Sequence, residues 1–329
     1  MPKFLIIRFS SIGDIVLTSP VVRCLKKQVP GAEVHFLTKE QYRPVVEHNP
    51  YIDKLHVLAH SWELMVHELK EENYDCLIDL HHNLRTLRLR KALGVKAFSF
   101  NKLNVQKYLY TRLKINLLPR VHIVDRYLAT VSSFQVQNDG QGLDYFIGEN
   151  EETEKKDIPV AHWAGYIACV IGAQHATKKW PVEQWKEFAS RMDHPLILVG
   201  GPEDAEAGAA IASVDPIKVY NACGKFSLNE SADLVRKAKL VIAHDTGLMH
   251  IAAACRRPVI SLWGNTVPAF GMYPYYPVGT IGGDDVMEAK GLRCRPCSKI
   301  GHDRCPRGHF RCMNEISVDR VIQAVKLRL

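Results

Sequence analysis

Phe4-Leu5-Ile6-Ile7-Arg8-Phe9-Ser10-Ser11-Ile12-Gly13-Asp14 reads as a buried strand running straight into a polar, glycine-containing turn. An apolar-periodic stretch from Ile15 to about Gln28 follows, and Pro30-Gly31 stops it. Strand, turn and helix make the opening half of a βαβ unit. Val34 to Leu37, Leu55 to Leu58 and Cys76 to Leu80 are further apolar runs, each separated by enough chain for a crossover helix. The N-terminal half is therefore expected to form a parallel sheet.

Between Gln137 and Pro159 this pattern weakens. Asn138, Asp139, Gly140 and Gly142 are turn formers, and Glu149 to Asp157 is almost wholly charged, which puts a domain boundary near residues 148–160. Beyond it, Ile167 to Ile171, Leu196 to Val199, Leu240 to Ala243 and Val259 to Leu262 restart the alternation, and Ser317 to Leu329 is an amphipathic helix. The expected fold class is α/β, with two Rossmann-like, doubly wound parallel-sheet domains facing a cleft. Ligands in such folds sit at the carboxyl ends of the strands.

Length and composition agree with this. A chain of 329 residues suits two domains, and 47% hydrophobic with 24% charged residues excludes disorder, collagen and coiled coil. Phe4 to Ile7 is too short for a signal-peptide core, and no apolar stretch approaches a bilayer span, so a cytosolic location is expected. Nine cysteines in that setting point to reduced thiols or metal ligands. No Gly-x-Gly-x-x-Gly follows the first strand, and no Gly-x-Ser-x-Gly elbow or Asp-x-Asp pair occurs. Ala222-Cys223-Gly224-Lys225 has the tail of a P-loop but ends in Phe226 where a hydroxyl is required.

Four turns after strands carry chemistry. Asp14 stands at a helix N-terminus, where it is either a cap or a general base, the latter worth roughly 10²–10⁴ in rate. His244-Asp245-Thr246-Gly247-Leu248-Met249-His250 offers a hydroxyl, an open glycine backbone and the positive end of a helix dipole, the makings of an anion site. Gly172 to Pro181 brings Thr177, Lys178 and Lys179 to a similar place, where they could grip a phosphate. Gly200-Gly201-Pro202-Glu203-Asp204 puts a carboxylate where a ribose could bind.

Phe9-Ser10-Ser11-Ile12-Gly13-Asp14, Lys178-x-Trp180-Pro181, Gly200-Gly201-Pro202-Glu203 and Asp245-Thr246-Gly247-x-x-His250-x-Ala252-Ala253 form an ordered set covering nearly the whole chain. The set resembles glycosyltransferase family nine, the ADP-heptose:lipopolysaccharide heptosyltransferases. The resemblance implies a GT-B architecture. Residues 1–155 would bind the acceptor, residues 156–315 the nucleotide sugar, and helix 316–329 would pack back on the first domain. It makes Asp14 the catalytic base and Lys178 the contact to the donor diphosphate. Asp245, Thr246, Gly247 and His250 would be the donor loop, with Glu203 (or Asp204) at the ribose. Ser10, Ser11, Gly13, Arg85 and Arg88 are the acceptor contacts expected. The implied reaction is transfer of heptose from ADP-heptose to the lipopolysaccharide inner core, inverting and without a metal cofactor. A monomer at the cytoplasmic face of the inner membrane is expected, in peripheral contact with it and binding no nucleic acid.

Two features lie outside those motifs. Arg85 to Arg126 holds eleven basic residues and one acid, Asp125, against a whole-chain net charge of +8. Such a stretch attracts an anionic partner such as phosphorylated lipid or nucleic acid, and the resemblance implies a lipid A-core type glycolipid. Cys294-x-x-Cys297, Cys305 and Cys312, with His302 and His309 nearby, could close a structural zinc site, and the segment resembles one in heptosyltransferase II-like proteins. The alternatives are a transferase of another nucleotide sugar, a GT-B-type nucleotide-sugar epimerase, and a zinc-stabilised nucleic-acid-binding protein.

Overall fold

The computed structural model describes residues 1–58 and 61–329. The chain forms two compact units: residues 1–102 with 121–146, and residues 103–120 with 147–329.

The first unit is a five-stranded parallel sheet of β1 (Lys3–Ile7), β2 (Glu33–Thr38), β3 (Lys54–Val57), β4 (Cys76–Asp79) and β5 (Lys96–Ser99), in the order β3-β2-β1-β4-β5. Leu5 lies between His35 of β2 and Leu77 of β4. Phe4 to Ile7 are wholly buried, as a continuous apolar run in a central parallel strand requires. Helices α1 (Ile12–Val16), α2 (Ser19–Gln28), α3 (Trp62–Glu71) and α4 (Leu84–Leu93) connect these strands. The stretch expected as one helix from Ile15 is two. Pro20 has no N–H, and its ring excludes the carbonyl four residues back, so the first helix ends and Thr18 caps a second.

The second unit carries α5 (Asn104–Tyr108) on an excursion of residues 103–120, after which α6 (Ile123–Leu128) rejoins the first unit. Its six-stranded parallel sheet comprises β6 (Ile167–Val170), β7 (Leu196–Val199), β8 (Val219–Asn221), β9 (Leu240–His244), β10 (Val259–Trp263) and β11 (Asp284–Glu288), in the order β11-β10-β9-β6-β7-β8. Helices α7 (Val182–Arg191), α8 (Ala205–Ala212), α9 (Leu228–Lys237), α10 (Gly247–Ala254), α11 (Arg311–Asn314) and α12 (Val318–Lys326) complete it.

Strand order reverses direction between β1 and β4 in one sheet and between β6 and β9 in the other. The turns leaving those four strands are where ligands of open α/β sheets bind.

Two expectations about domain limits change, the start of the second unit and the place of the C-terminal helix. The weak-pattern stretch up to Phe146 stays with the first unit, because buried Arg23 binds Asp139 at 2.7 Å and the carbonyl of Gly142 at 2.9 Å. The second unit begins at Ile147, ahead of the expected 155/156 limit. There Thr153 donates its backbone N–H and its hydroxyl to Asp233, both at 2.7 Å. The C-terminal helix does not need the first domain for its apolar face: Val318, Val321, Ile322 and Val325 of α12 join Trp185 and Phe188 of α7 in the second unit's core.

Candidate active site

In the first unit, the turn after β1 delivers Asp14 to the third position of α1, with Ser11 rather than Asp14 as the cap. The Ser11 hydroxyl donates to Asp14 Oδ2 at 3.0 Å, and Arg8 NH2 pairs with Asp14 Oδ1 at 2.7 Å. Arg8 is buried. Its guanidinium also donates to the carbonyl of Ser10 at 2.8 Å, to Tyr127 Oη at 3.0 Å and to the carbonyl of Leu80. Burial works against that charge, and Asp14 leads the groups that outweigh it, so the Arg8 pKa is raised. The Asp14 side chain remains 22% exposed, so it is oriented but reachable.

Ser10 and Arg85 line a cavity of about 420 Å³ with Phe9, Lys39, His81 and Asn83. Gly13 is buried inside α1, where its carbonyl accepts from Leu17. Arg88 goes elsewhere: its guanidinium lies 4.5 Å from the centre of the Trp62 ring. Arg8, Lys39 and His81 were missed. His81 and Asn83 follow β4 directly, so the rule that singled out the turn after β1 would have found them. Burial, followed by Arg8, lowers the His81 pKa to about 4, and its Nδ1 is buried with no protein partner.

In the second unit, Lys178 Nζ meets Asp245 Oδ2 at 2.7 Å and the Asp245 carbonyl at 3.0 Å. The same carboxylate oxygen accepts from the Thr266 hydroxyl at 2.9 Å. Thr246 caps α10, and Gly247 opens it. The buried Thr246 Oγ1 has no protein partner, and neither has either side-chain polar atom of Asn265, a residue 1% exposed. Buried polar atoms left in this way call for a ligand or water. His250 is buried within α10. Asn265 and Thr266 follow β10 and were also missed, because Trp263-Gly264-Asn265 matches none of the motifs.

The other residues of these turns hold the loops together. Lys179 pairs with buried Asp204 at 2.5 Å, which leaves Glu203 as the exposed carboxylate of that turn. A β-carbon on Gly172 would lie 2.3 Å from Asp204 Oδ2, so that pair depends on glycine. Thr177 is buried and faces no phosphate: its hydroxyl donates to the His302 carbonyl at 3.0 Å and accepts from the His302 N–H at 2.8 Å. His244 Nε2 accepts from the Trp180 N–H at 2.8 Å, and burial lowers its pKa to about 4.

The cysteine loop is fastened onto the same turns. Arg295 donates to the carbonyls of Gly264 and Thr266, the latter at 2.9 Å. Cys294, Cys297, Cys305 and Cys312 are free thiols close enough to feel one another's charge, and Cys294 Sγ is 3.7 Å from His309 Nε2. Among the described residues they do not bring three ligand atoms within 4.8 Å of one another, as His35, His56 and Glu72 do.

A family model described as glycosyltransferase family 9 (heptosyltransferase) matches residues 62–292. The chain belongs to glycosyltransferase family 9. The span matched in this glycosyltransferase includes Lys178, Glu203 and Asp245 to His250, while Asp14 and the four clustered cysteines lie outside it. Lipopolysaccharide heptosyltransferase 1 of Pseudomonas aeruginosa is 25% identical over 324 residues, covering 90% of this chain and 86% of that protein. A family 9 glycosyltransferase from Veillonella parvula has a TM-score of 0.77 at 23% identity, covering 99% of this chain and 96% of that one. Escherichia coli ADP-heptose lipopolysaccharide heptosyltransferase II has a TM-score of 0.73 at 20% identity, covering 99% and 98%. These likenesses bear out the fold, two parallel-sheet α/β domains of GT-B type.

Proposed function

We propose that this family 9 glycosyltransferase moves heptose from ADP-heptose to the inner core of a lipopolysaccharide acceptor, by direct displacement with inversion and without a catalytic metal. One observation carries the donor half of the reading. At the carboxyl end of β9, the Lys178 ammonium, an unpartnered buried Thr246 hydroxyl and the N-terminus of α10 converge. Charge builds on the diphosphate oxygens as the bond to the sugar breaks. A fixed ammonium, a hydroxyl and backbone N–H groups at a helix N-terminus stabilise it there. Asp14, oriented by Arg8 and Ser11, is the group to take the proton from the acceptor hydroxyl. The names of the relatives support the sugar and the acceptor.

We assign the enzyme to the cytoplasmic face of the inner membrane. No helix among the described residues is long and apolar enough to cross a membrane, and the basic stretch supports peripheral contact. The four clustered cysteines are proposed to take a structural zinc. Thiolates with neighbouring imidazoles are a suitable donor set, and the sulfurs must draw together around the ion. Metal analysis of protein purified without added metal tests this, and a result well below one zinc per chain rejects it.

Calorimetric titration with ADP, GDP, UDP and ADP-heptose in metal-free buffer tests the donor. Selective binding of ADP and ADP-heptose is expected, followed by transfer to a heptose-deficient glycolipid. A preference for UDP or GDP replaces the heptose with another sugar, and no nucleotide binding overturns the reading.

A further inference from the structure

The excursion of residues 103–120 and the cysteine loop, both in the second unit, enclose a cavity of about 1010 Å³. Lys114 fastens one wall to the other, donating to the carbonyls of Cys294 at 3.1 Å and Pro296 at 2.6 Å. The Tyr110 ring packs edge-on against Phe270 at 6.1 Å. The lining sets Arg112, Arg293, Lys299 and Arg307 beside Cys294 and Cys297 of the cysteine cluster, and it includes not one aspartate or glutamate. All four are exposed, and among the described residues none takes part in an ion pair.

Elsewhere in the second unit, Lys178, Lys179, Arg236 and Arg295 each have a carboxylate within 3 Å. Four cations without a carboxylate partner around one cavity repel one another, and an anion there removes that repulsion. The same excursion also exposes apolar side chains. Val105, Tyr108, Leu113, Ile115 and Leu117 are each between 49% and 68% exposed. Basic residues beside exposed aliphatic and aromatic side chains suit an amphiphile with a phosphorylated head, better than a nucleic acid or a free phosphate.

We propose that this cavity is a binding site for the phosphate groups of a glycolipid, with residues 105–117 lying against its acyl chains. The cavity belongs to the second unit, whereas Asp14, Ser10 and Arg85 belong to the first. Its backbone joins the turn carrying Lys178 through Thr177 and His302, so an occupied cavity holds the lipid next to the donor turn. Identifying the glycolipid as the transfer acceptor rests on the proposed function; phosphate recognition itself does not.

The test is binding of the full chain to phosphatidylcholine vesicles containing lipid A with its phosphates, and to the same vesicles made with dephosphorylated lipid A. The wild-type protein should bind the first and largely release the second. In the triple variant Arg112→Gln, Lys299→Gln and Arg307→Gln, affinity should fall roughly fivefold per cation, on the order of a hundredfold together. Unchanged melting temperature and unchanged ADP binding show that the variant is folded. Equal binding of both vesicles, or full binding by the triple variant, overturns the proposal. A rise in the KM for the nucleotide sugar, with the KM for glycolipid unmoved, assigns the cations to the donor diphosphate and also overturns it. Wild-type vesicle binding without any heptose transfer would instead refute the acceptor reading while leaving this site standing.

Discussion

Asp14 answers to two neighbours, and they separate its structural role from its chemical one. Replacing it with asparagine keeps the shape but leaves buried Arg8 without its carboxylate, although Ser10, Leu80 and Tyr127 still accept from the guanidinium. Asp14→Asn should therefore cost about 1–3 kcal/mol in denaturant unfolding, and turnover should fall a hundredfold or more if Asp14 is the base. Activity retained within a few-fold would leave Asp14 a structural partner of Arg8. Thr246 offers the opposite case. Its hydroxyl has no protein partner, so Thr246→Ala should leave unfolding within about 0.5 kcal/mol. Nucleotide affinity should fall about three- to tenfold by calorimetry, the worth of one hydrogen bond. Asp14, Lys178, Asp245 and Thr246 were legible in the sequence because each follows an apolar strand within a recognisable motif. Arg8 and Asn265 were not. Each sits at the end of a strand reading as ordinary core, and only the third dimension shows what it faces.

Strands β2 and β3 carry a histidine pair that no motif announced. His35 Nδ1 and His56 Nε2 are 3.2 Å apart, and Tyr74 Oη is 2.9 Å from the first and 3.0 Å from the second. Burial, then His35 and Lys54, lowers the His56 pKa to about 4, and His81 and His244 are lowered to about 4 chiefly by burial. A folded-state pKa below the ordinary 6.5 means that the unfolded chain binds protons more readily. Stability is then fully present above about pH 6.5 and declines as pH falls toward 4. Unfolding followed across that range should show the loss, and His56→Gln should make the profile shallower. A flat profile would mean that these rings are protonated in the native state. The inner strands were legible for the reason that β5, β8 and β11 were not. Continuous apolar runs mark strands buried on both faces, whereas Asp284-Asp285-Val286-Met287-Glu288 has the charged sequence of a sheet edge. At the turn after β6, Gly172→Ala should cost about 1–3 kcal/mol by pushing Asp204 off Lys179, measurable as a lowered Tm.

Across the whole chain, the two sheets were readable and the bookkeeping between the units was not. The basic stretch Arg85 to Arg126 is one run in sequence, yet residues 103–120 belong with the second unit and their flanks with the first. Periodicity reports which face of an element is apolar, not which body supplies the partner. The same holds for α12, whose buried stripe fits the second unit's core. Val325→Asp would bury a charge beside Trp185 and Phe188, with an expected cost of at least about 3 kcal/mol. Loss of ADP binding in that variant, with far-ultraviolet helix content falling only in part, would show the second unit failing on its own.

The three hydrogen bonds between Thr177 and His302 tie the loop of clustered cysteines to the residue next to Lys178. Coupling of this kind is reciprocal: whatever fixes one end changes the free energy of the other by the same amount. A ligand held reversibly by the cysteine loop and a nucleotide bound at Lys178 should then change each other's affinity by an equal factor, which paired titrations would measure. The cysteine loop would thereby make donor affinity answerable to whatever the four cysteines bind.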